Sequence, residues 1–526
     1  MDVLAHVWLG ILAVFQGPDA FAVAGLSVSI TLVMVAAGFL LGIVVGATPG
    51  LGGPTAMAIA LPILISVFGF TPDALLPVMG CLIGIMKGAT VGGAVPAILF
   101  NTPGTPDSYM TTLDGYPMAQ RGEAKKALRV AHFASASGDT FSDIVLILCA
   151  PFLALLVERH LDLPEKTALL ILSLAFVAAV VGRSPGKGLI SAGLGLLVVY
   201  VGTGEDFYPR LSMGTEALNR GFPIGTAVLG VLVVGAVFHQ MAEGFASRSN
   251  TSLQPAPKAG NAGRLRWPDI RPLLPTMLRS AVAGTVIGAL PGIGSTLAAT
   301  IGYTTAKARH DRTRAPDAPR FGDGVPQGVA ATEAANSAVS GANLIPVLSL
   351  GIPGNTAAVF LILAADSIGG FNPGPSVFRV TADAINPELV VAFGLFTCMF
   401  VANALNWTVG GLVMRSMGVL AHLPKQRLLP VVLVLTLTAI YVQETRIEAI
   451  WFTIAFGILG FGMRLLDMSP LPFVIAFILG AKLEDSARQA FAATGGDAWF
   501  LFTSPVAAAF MALSVLVVVL GARRRG

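Results

Sequence analysis

Charge is scarce in this chain: only 12% of its 526 residues are Asp, Glu, Lys or Arg, about half the roughly 25% of a soluble domain. A water-facing surface cannot be built from so little. The formal net charge of +4 is small for the length and sits in loops, so it reads as topology information and not as a nucleic-acid surface. The three cysteines, Cys81, Cys149 and Cys398, lie in apolar segments without paired or metal-like spacing and are expected as small buried hydrophobes. The six histidines are widely separated, and no His-Glu-x-x-His or Cys/His cluster offers a zinc site. No nucleotide loop is present either. Gly182 to Lys187 lacks the spacing of a phosphate cradle, and Gly50-Leu51-Gly52 is not followed by the third glycine of a dinucleotide fingerprint. No cofactor is expected, and uphill transport by such a chain would draw on an ion gradient.

What the chain has is apolar length, with 54% hydrophobic residues. Runs such as Phe21–Gly46, Thr167–Val181, Leu429–Val442 and Phe500–Leu520 are each near the length that crosses about 30 Å of hydrocarbon, and roughly eleven to thirteen such segments recur. The expected fold class is an all-α polytopic membrane protein. Met1 to Phe15 begins with Asp2 and lacks a basic n-region, so it is expected to be retained, as a short first span or an interfacial helix.

Two motifs occur twice. Gly42-Ile-Val-Val-Gly46-Ala-Thr-Pro49-Gly50-Leu-Gly52 returns as Gly284-Thr-Val-Ile-Gly288-Ala-Leu-Pro291-Gly292-Ile-Gly294, seven of eleven residues identical at an offset of 242. Pro96 to Thr105, containing Asn101-Thr102-Pro103-Gly104, parallels Pro346 to Asn355, containing Gly351-Ile-Pro353-Gly354, at an offset of 250. Pro-Gly ends a membrane helix and frees backbone groups that are tolerable only against protein or a water-filled cavity. Four breaks, two per half, therefore predict broken helices or re-entrant hairpins around a central site.

The loop charges predict that the halves are inverted. No Lys or Arg precedes the first repeat, whereas Arg248, Lys258, Arg264, Arg266, Arg271 and Arg279 precede the second. The link after the first break has only Asp73 in one half and Lys307, Arg309, Arg312, Arg314 and Arg320 in the other. After the second break the signs exchange again: Arg121, Lys125, Lys126 and Arg129 against Asp366, Asp383 and Glu388 with lone Arg379. By the positive-inside tendency the two halves enter from opposite sides, an organisation shared by many secondary transporters. The expected division is a membrane repeat over 1–244, a cytoplasmic linker over 245–272 and a second repeat with terminal spans over 273–526, the C-terminus inside.

The strings Gly46 to Gly53, Ile98 to Thr105, Leu113-Asp-Gly-Tyr-Pro-Met118, Thr332-Glu-Ala-Ala-Asn336, Leu350 to Gly354 and Ile478 to Glu484 resemble the signature motifs of the large membrane subunit of the tripartite tricarboxylate transporter family. The stretch around Lys87-Gly88 departs, since a tyrosine–glycine pair is more usual there. The resemblance implies a permease subunit of the bacterial inner membrane, working with a small membrane subunit and a periplasmic solute-binding protein. It further implies import of carboxylates by symport with Na+ or H+. A passive anion channel and, less favoured, a membrane-embedded enzyme using Glu333 and Asp114 are the alternatives.

A carboxylate at mid-membrane needs donors, and a helix starting after a break aims about half a positive charge and free N–H groups at it. The breaks supply Pro49, Gly50, Gly52, Pro103, Pro291, Gly292, Gly294 and Pro353. The expected substrate contacts are Asn101, Thr102, Gly104, Thr105, Gly354, Asn355 and Thr356. Lys87, alone in the uncharged run from Leu75 to Phe100, is the expected counter-charge, because an ionisable group at that depth is costly. Glu333 and Asn336, three apart on a helix, are the expected cation-coupling pair. Asp114 is expected to shape a turn at the cytoplasmic mouth.

Overall fold

The computed structural model describes residues 3–23, 26–48, 52–182, 184–203, 209–212, 214–246, 265–292, 294–314, 318–380, 384–417 and 425–523. Pro49, Gly50 and 247–264 of the expected linker lie outside the described residues.

The N-terminal half begins with α1 (Val3–Phe15), then a hairpin of β1 (Asp19–Val23) and β2 (Leu26–Ser29). It continues through α2 (Ile30–Gly46), α3 (Gly53–Phe68), α4 (Pro72–Phe100), α5 (Thr112–Met118), the long α6 (Ala124–His160), α7 (Leu163–Val180) and α8 (Pro185–Val199). A second, two-residue hairpin, β3 (Gly202–Thr203) with β4 (Pro209–Arg210), leads to α9 (Ile224–Leu229) and α10 (Gly235–Ala246), joined by a π-turn. The expected all-α class holds, with these two short antiparallel hairpins bridging helix ends.

The C-terminal half contains α11 (Trp267–Ile270), α12 (Leu274–Gly288), α13 (Ser295–Thr313), α14 (Pro326–Ala342), α15 (Leu344–Leu350) and α16 (Thr356–Ile368). There follow α17 (Pro387–Leu405), α18 (Gly411–Ser416), α19 (Lys425–Glu444), α20 (Ile447–Leu465), α21 (Leu471–Ala493) and α22 (Pro505–Arg523). Among the described residues seven helical stretches are long and apolar enough to cross a membrane, and six further apolar helices run 10–17 residues. The chain is thus a multi-pass membrane protein. The shorter helices are those next to Pro-Gly breaks or flanking turns, α2, α3 and α16 among them.

Burial separates centre from rim. In α4, 89% of the spanning window is buried, against 11% in α22, so α4 is the internal post and α22 an outer helix. α4 packs on α2, α3 and α17, while α14 packs on α12, α13 and α6, so each central helix is flanked by the two helices of its own half's first break and by one long helix from the other half. Glycine makes the tightest of these contacts. A Cβ at Gly38, Gly42 or Gly46 of α2 would strike the backbone of Cys81, Ile85 or Ala89 of α4, and one at Gly84, Gly88 or Gly92 would strike the backbone near Val35, Phe39 or Ile43 in return. With no hydrophobic drive between helices in lipid, close backbone approach of this kind supplies the dispersion that holds them.

Cys81 and Cys398 are buried, but Cys149 is exposed. The expectation for Cys149 is corrected because α6 turns one face outward at this level, with Leu148 and Phe152 also exposed.

Candidate functional site

The breaks form by two local devices. After α4 the chain stops at Asn101, whose left-handed conformation (φ 52°) closes the helix with its N–H on the Pro96 carbonyl. After α15 the stop is Gly351 (φ 71°), bonded back to Pro346 and Val347. The same left-handed position, held by Asn in one half and Gly in the other, ends both helices. The next helices restart with their N-terminal ends turned to one place. α3 begins after Gly52, α13 after Gly294, and α16 after Asn355, whose side chain accepts from the Ala358 N–H at 2.9 Å. The counterpart of α16 in the N-terminal half is a single 3₁₀ turn, Pro106–Tyr109, after Thr105. The helix expected directly after Gly104 is therefore corrected to a turn.

These four restarts line a cavity of about 650 Å³: Gly52 to Thr55, Gly104 to Asp107, Gly294 with Ser295, and Asn355 to Ala357. Asn336, Ser340 and Asn343 of α14 and its C-cap also line it, as does Arg464 of α20. Two backbone hydrogen bonds fasten the breaks, Gly292 N–H to the Gly354 carbonyl at 2.8 Å and Gly104 N–H to the Gly93 carbonyl at 3.3 Å. Inside the cavity the side-chain amide of Asn336 is 2% exposed with neither its O nor its N partnered, and the Oδ1 of Asn343 likewise has no partner. Buried polar atoms are nearly always satisfied, so these amides have free capacity to bond a molecule in the cavity.

Of the residues expected to touch substrate, Gly104, Thr105, Asn355 and Thr356 line the cavity. Gly292, Gly294 and Gly52 of the breaks line it too. Asn101 and Thr102 do not. Asn101 is exposed at its helix stop, and the Thr102 hydroxyl donates to the Phe100 carbonyl at 3.2 Å, so both are corrected to local capping roles. Gly354, buried with Pro353, acts through its carbonyl on Gly292. Pro103 and Pro291 lie half-buried in the turns.

Lys87 is also off the cavity wall. Its side chain is wholly buried, with Nζ 2.8 Å from Asp143 Oδ2 and 3.4 Å from Asp139 Oδ1, and it donates to Asn403 Oδ1 at 3.2 Å. Two carboxylates already face its ammonium, which corrects the expected counter-charge role. Asn403 Nδ2 donates to Asp143 Oδ2 at 2.7 Å, and the Ser340 hydroxyl donates to Asp139 Oδ1.

Glu333 and Asn336 are parted by the helix. Asn336 faces the cavity, whereas Glu333 is fully buried against the first half, its Oε1 accepting from Thr111 at 2.5 Å and its Oε2 from Ser135 at 3.0 Å. Asp114 accepts three backbone N–H groups at Oδ1, from Gly322 (2.9 Å), Gly324 (3.0 Å) and Val325 (2.7 Å). It organises a turn, as expected, but one belonging to the other half.

Sequence reasoning missed Asn343, Ser295 and Arg464. Arg464 reads as a loop charge closing an apolar run. In the fold its guanidinium donates to the carbonyls of Val231 (2.8 Å), Gly460 (2.8 Å) and Leu232 (2.9 Å), which fixes a positive charge on the wall. Among the described residues it is the cationic side chain lining the cavity.

A multi-pass helical membrane protein whose helices break around a cavity holding several polar groups has the architecture that membrane carriers use. The model of the tripartite tricarboxylate transporter TctA family matches residues 32–475, and the chain belongs to that family. It is 31% identical over 493 residues to an uncharacterized 52.8 kDa protein in the TAR-I ttuC' 3' region of Agrobacterium vitis, covering 92% of this chain and 91% of that protein. It is 30% identical over 241 residues to an uncharacterized protein in the TAR-II ttuC' 3' region of the same organism, covering 45% of this chain and 93% of that protein. The chain is accordingly a membrane component of a transporter, and the family points away from an enzyme.

Proposed function

We propose that this chain is the permease subunit of a binding-protein-dependent secondary transporter that imports tricarboxylates or related organic anions by symport with Na+ or H+. The observation that carries the reading is the convergence of the four break restarts on one cavity. The N-terminal ends of α3, α13 and α16 bring partial positive charge and free N–H groups to the cavity. Asn336, Asn343, Thr105 and Thr356 add neutral donors, and Arg464 adds a fixed charge. A site of many weak donors suits a multiply charged anion that must also be released, since a dedicated salt bridge to each carboxylate would hold it too tightly. On this reading a periplasmic solute-binding protein and a small membrane subunit deliver the anion. The chain lies in the bacterial inner membrane with the linker and C-terminus inside, and access alternates as broken helices of the two inverted halves move against a fixed frame.

Reconstitution in proteoliposomes with both partners tests this. Labelled citrate is expected to accumulate only when a sodium or proton gradient is imposed. Citrate flux at the same rate down its own gradient, with no cation gradient, would make the chain an anion channel instead.

A further inference from the structure

Beside the cavity, and unused by the anion site, lies a second buried cluster. Lys87 of α4 sits between Asp139 and Asp143 of α6, one cation against two carboxylates, so the formal charge is +1 − 2 = −1 at side chains that are 0–1% exposed. Asp139 Oδ2 and Asp143 Oδ1 are buried and have no hydrogen-bond partner. An unneutralised charge in so dry a place is unstable, and binding a proton removes it. The partners taken up are Oδ1 of Asp139 and Oδ2 of Asp143, which leaves one free oxygen on each carboxylate for an O–H bond. A metal cation fits less well, because the lysine ammonium already occupies the place between the carboxylates where such an ion would sit. Ser340 gives the route. It lines the cavity and its hydroxyl is bonded to Asp139.

Resting on the carrier reading above, and naming its coupling ion, we propose that the Asp139–Asp143–Lys87 cluster is the proton site of this transporter, loading and releasing a single proton by way of Ser340 and the cavity. Loading forms an O–H bond on an aspartate and breaks one in a hydrated proton of the cavity; release reverses it, with no change of oxidation state. The groups facing the cluster are few. α4 contributes Lys87, α17 only the amide of Asn403, and the turn after α17 only Asn406 and Trp407. α14 contributes Glu333, one turn away and held by Thr111 and Ser135. Of the other elements against α6, α5 holds Asp114 on the 322–325 turn, the 119–123 turn carries Arg121 and Glu123 paired with each other at the surface, Arg279 of α12 is exposed, Arg415 of α18 bonds its own helix, and α15 and the 375–378 turn carry no charge.

The test is infrared difference spectroscopy of the purified full chain in lipid nanodiscs, stepped from acidic to alkaline pH. The expected result is a protonated-carboxyl stretch that disappears at alkaline pH, is lost in Asp139→Asn or Asp143→Asn, is kept in Glu333→Gln, and shifts in Ser340→Ala. If the aspartate variants do not fold, Ser340→Ala, which removes a single hydroxyl, carries the test alone. An unshifted band there, or a band unchanged in both folded aspartate variants, overturns the proposal. So does a carboxylate change on adding sodium without any protonated band. The measurement needs no substrate, so failure of citrate uptake would sink the transport reading while leaving this result standing.

Discussion

The Gly292 N–H donates to the Gly354 carbonyl at 2.8 Å, which makes the two breaks of the C-terminal half a single hydrogen-bonded unit. Gly292 adopts φ +80°, and a Cβ there would press to 3.0 Å on the Val177 backbone, whereas Gly294 has φ −71° and open space beside it. Gly292→Ala is therefore expected to lose about 1–2 kcal/mol of stability from the left-handed strain alone, and Gly294→Ala to stay near wild type. Thermal unfolding in detergent separates them. Equal melting temperatures would show that this linkage is not under conformational constraint.

The Lys87 cluster makes a non-additive prediction. Removing one partner of a buried ion pair leaves the other charged and dry, at a cost of about 3–5 kcal/mol, while removing both is much milder. Lys87→Met should lower stability sharply, and adding Asp143→Asn should recover part of the loss, with Asp139 left as the one carboxylate without its cation. A double-mutant cycle by thermal unfolding reads the coupling, and strictly additive losses would show that the ion pair does not operate.

The unpartnered amide of Asn336 separates binding from folding. Asn336→Ala removes atoms that have no partner in the protein, so stability should hold. Substrate loses a hydrogen bond of about 1–2 kcal/mol, so half-saturation for citrate should rise roughly 5- to 30-fold. Asn336→Asp, which puts a negative charge beside the anion, should abolish uptake. Unaltered half-saturation in both variants would remove Asn336 from the substrate site.

Asp114 predicts a local loosening. Its Oδ1 gathers three N–H groups of the 322–325 turn, and Arg121 holds the same turn through the carbonyls of Asp323 (2.6 Å) and Gly324 (2.5 Å). Asp114→Ala should raise hydrogen exchange of this turn by about two orders of magnitude, since charge-assisted bonds of about 1.5–3 kcal/mol are removed, with little change around α22. Unchanged exchange at Gly322 to Val325 would show that other contacts hold the turn.

The same contact bears on topology. Arg121 and the 323–324 backbone touch, so the basic links after α5 and after α13 lie on one side of the membrane. In a chain carrying Cys149→Ser, cysteines at Lys125 and Arg312 should label only from the cytoplasm. Labelling at Arg312 from outside sealed cells would undo the inverted arrangement.

The breaks were legible because Pro-Gly acts locally: Gly104, Thr105, Asn355 and Thr356 reach the cavity from motifs a few residues long. Lys87 was legible as unusual but not in its role. Its partners stand 52 and 56 residues away on α6 and, for Asn403, 316 away on α17, separations that no periodicity reports. A signal was present, since Asp139 and Asp143 are four apart and share a helix face, within a helix that turns apolar immediately afterwards. Asn101 misled because Asn is both a hydrogen-bonding residue and one that tolerates the left-handed conformation, and the second property is the one used. Arg464 was hidden by its position at the end of a span, where charge ordinarily marks the edge of the membrane.

The glycine contacts between α2 and α4 have a mechanical consequence. Where side chains separate two helices, one can creep along the other by rotamer changes, each small. Here Gly38, Gly42 and Gly46 meet backbone, and Gly84, Gly88 and Gly92 meet it from the other side, so no rotamers intervene to absorb sliding and the teeth of one ridge are locked between those of the other. The two helices form a stiff beam, and whatever bends during a working cycle must hinge at the ends of that beam or pivot the whole of it at once.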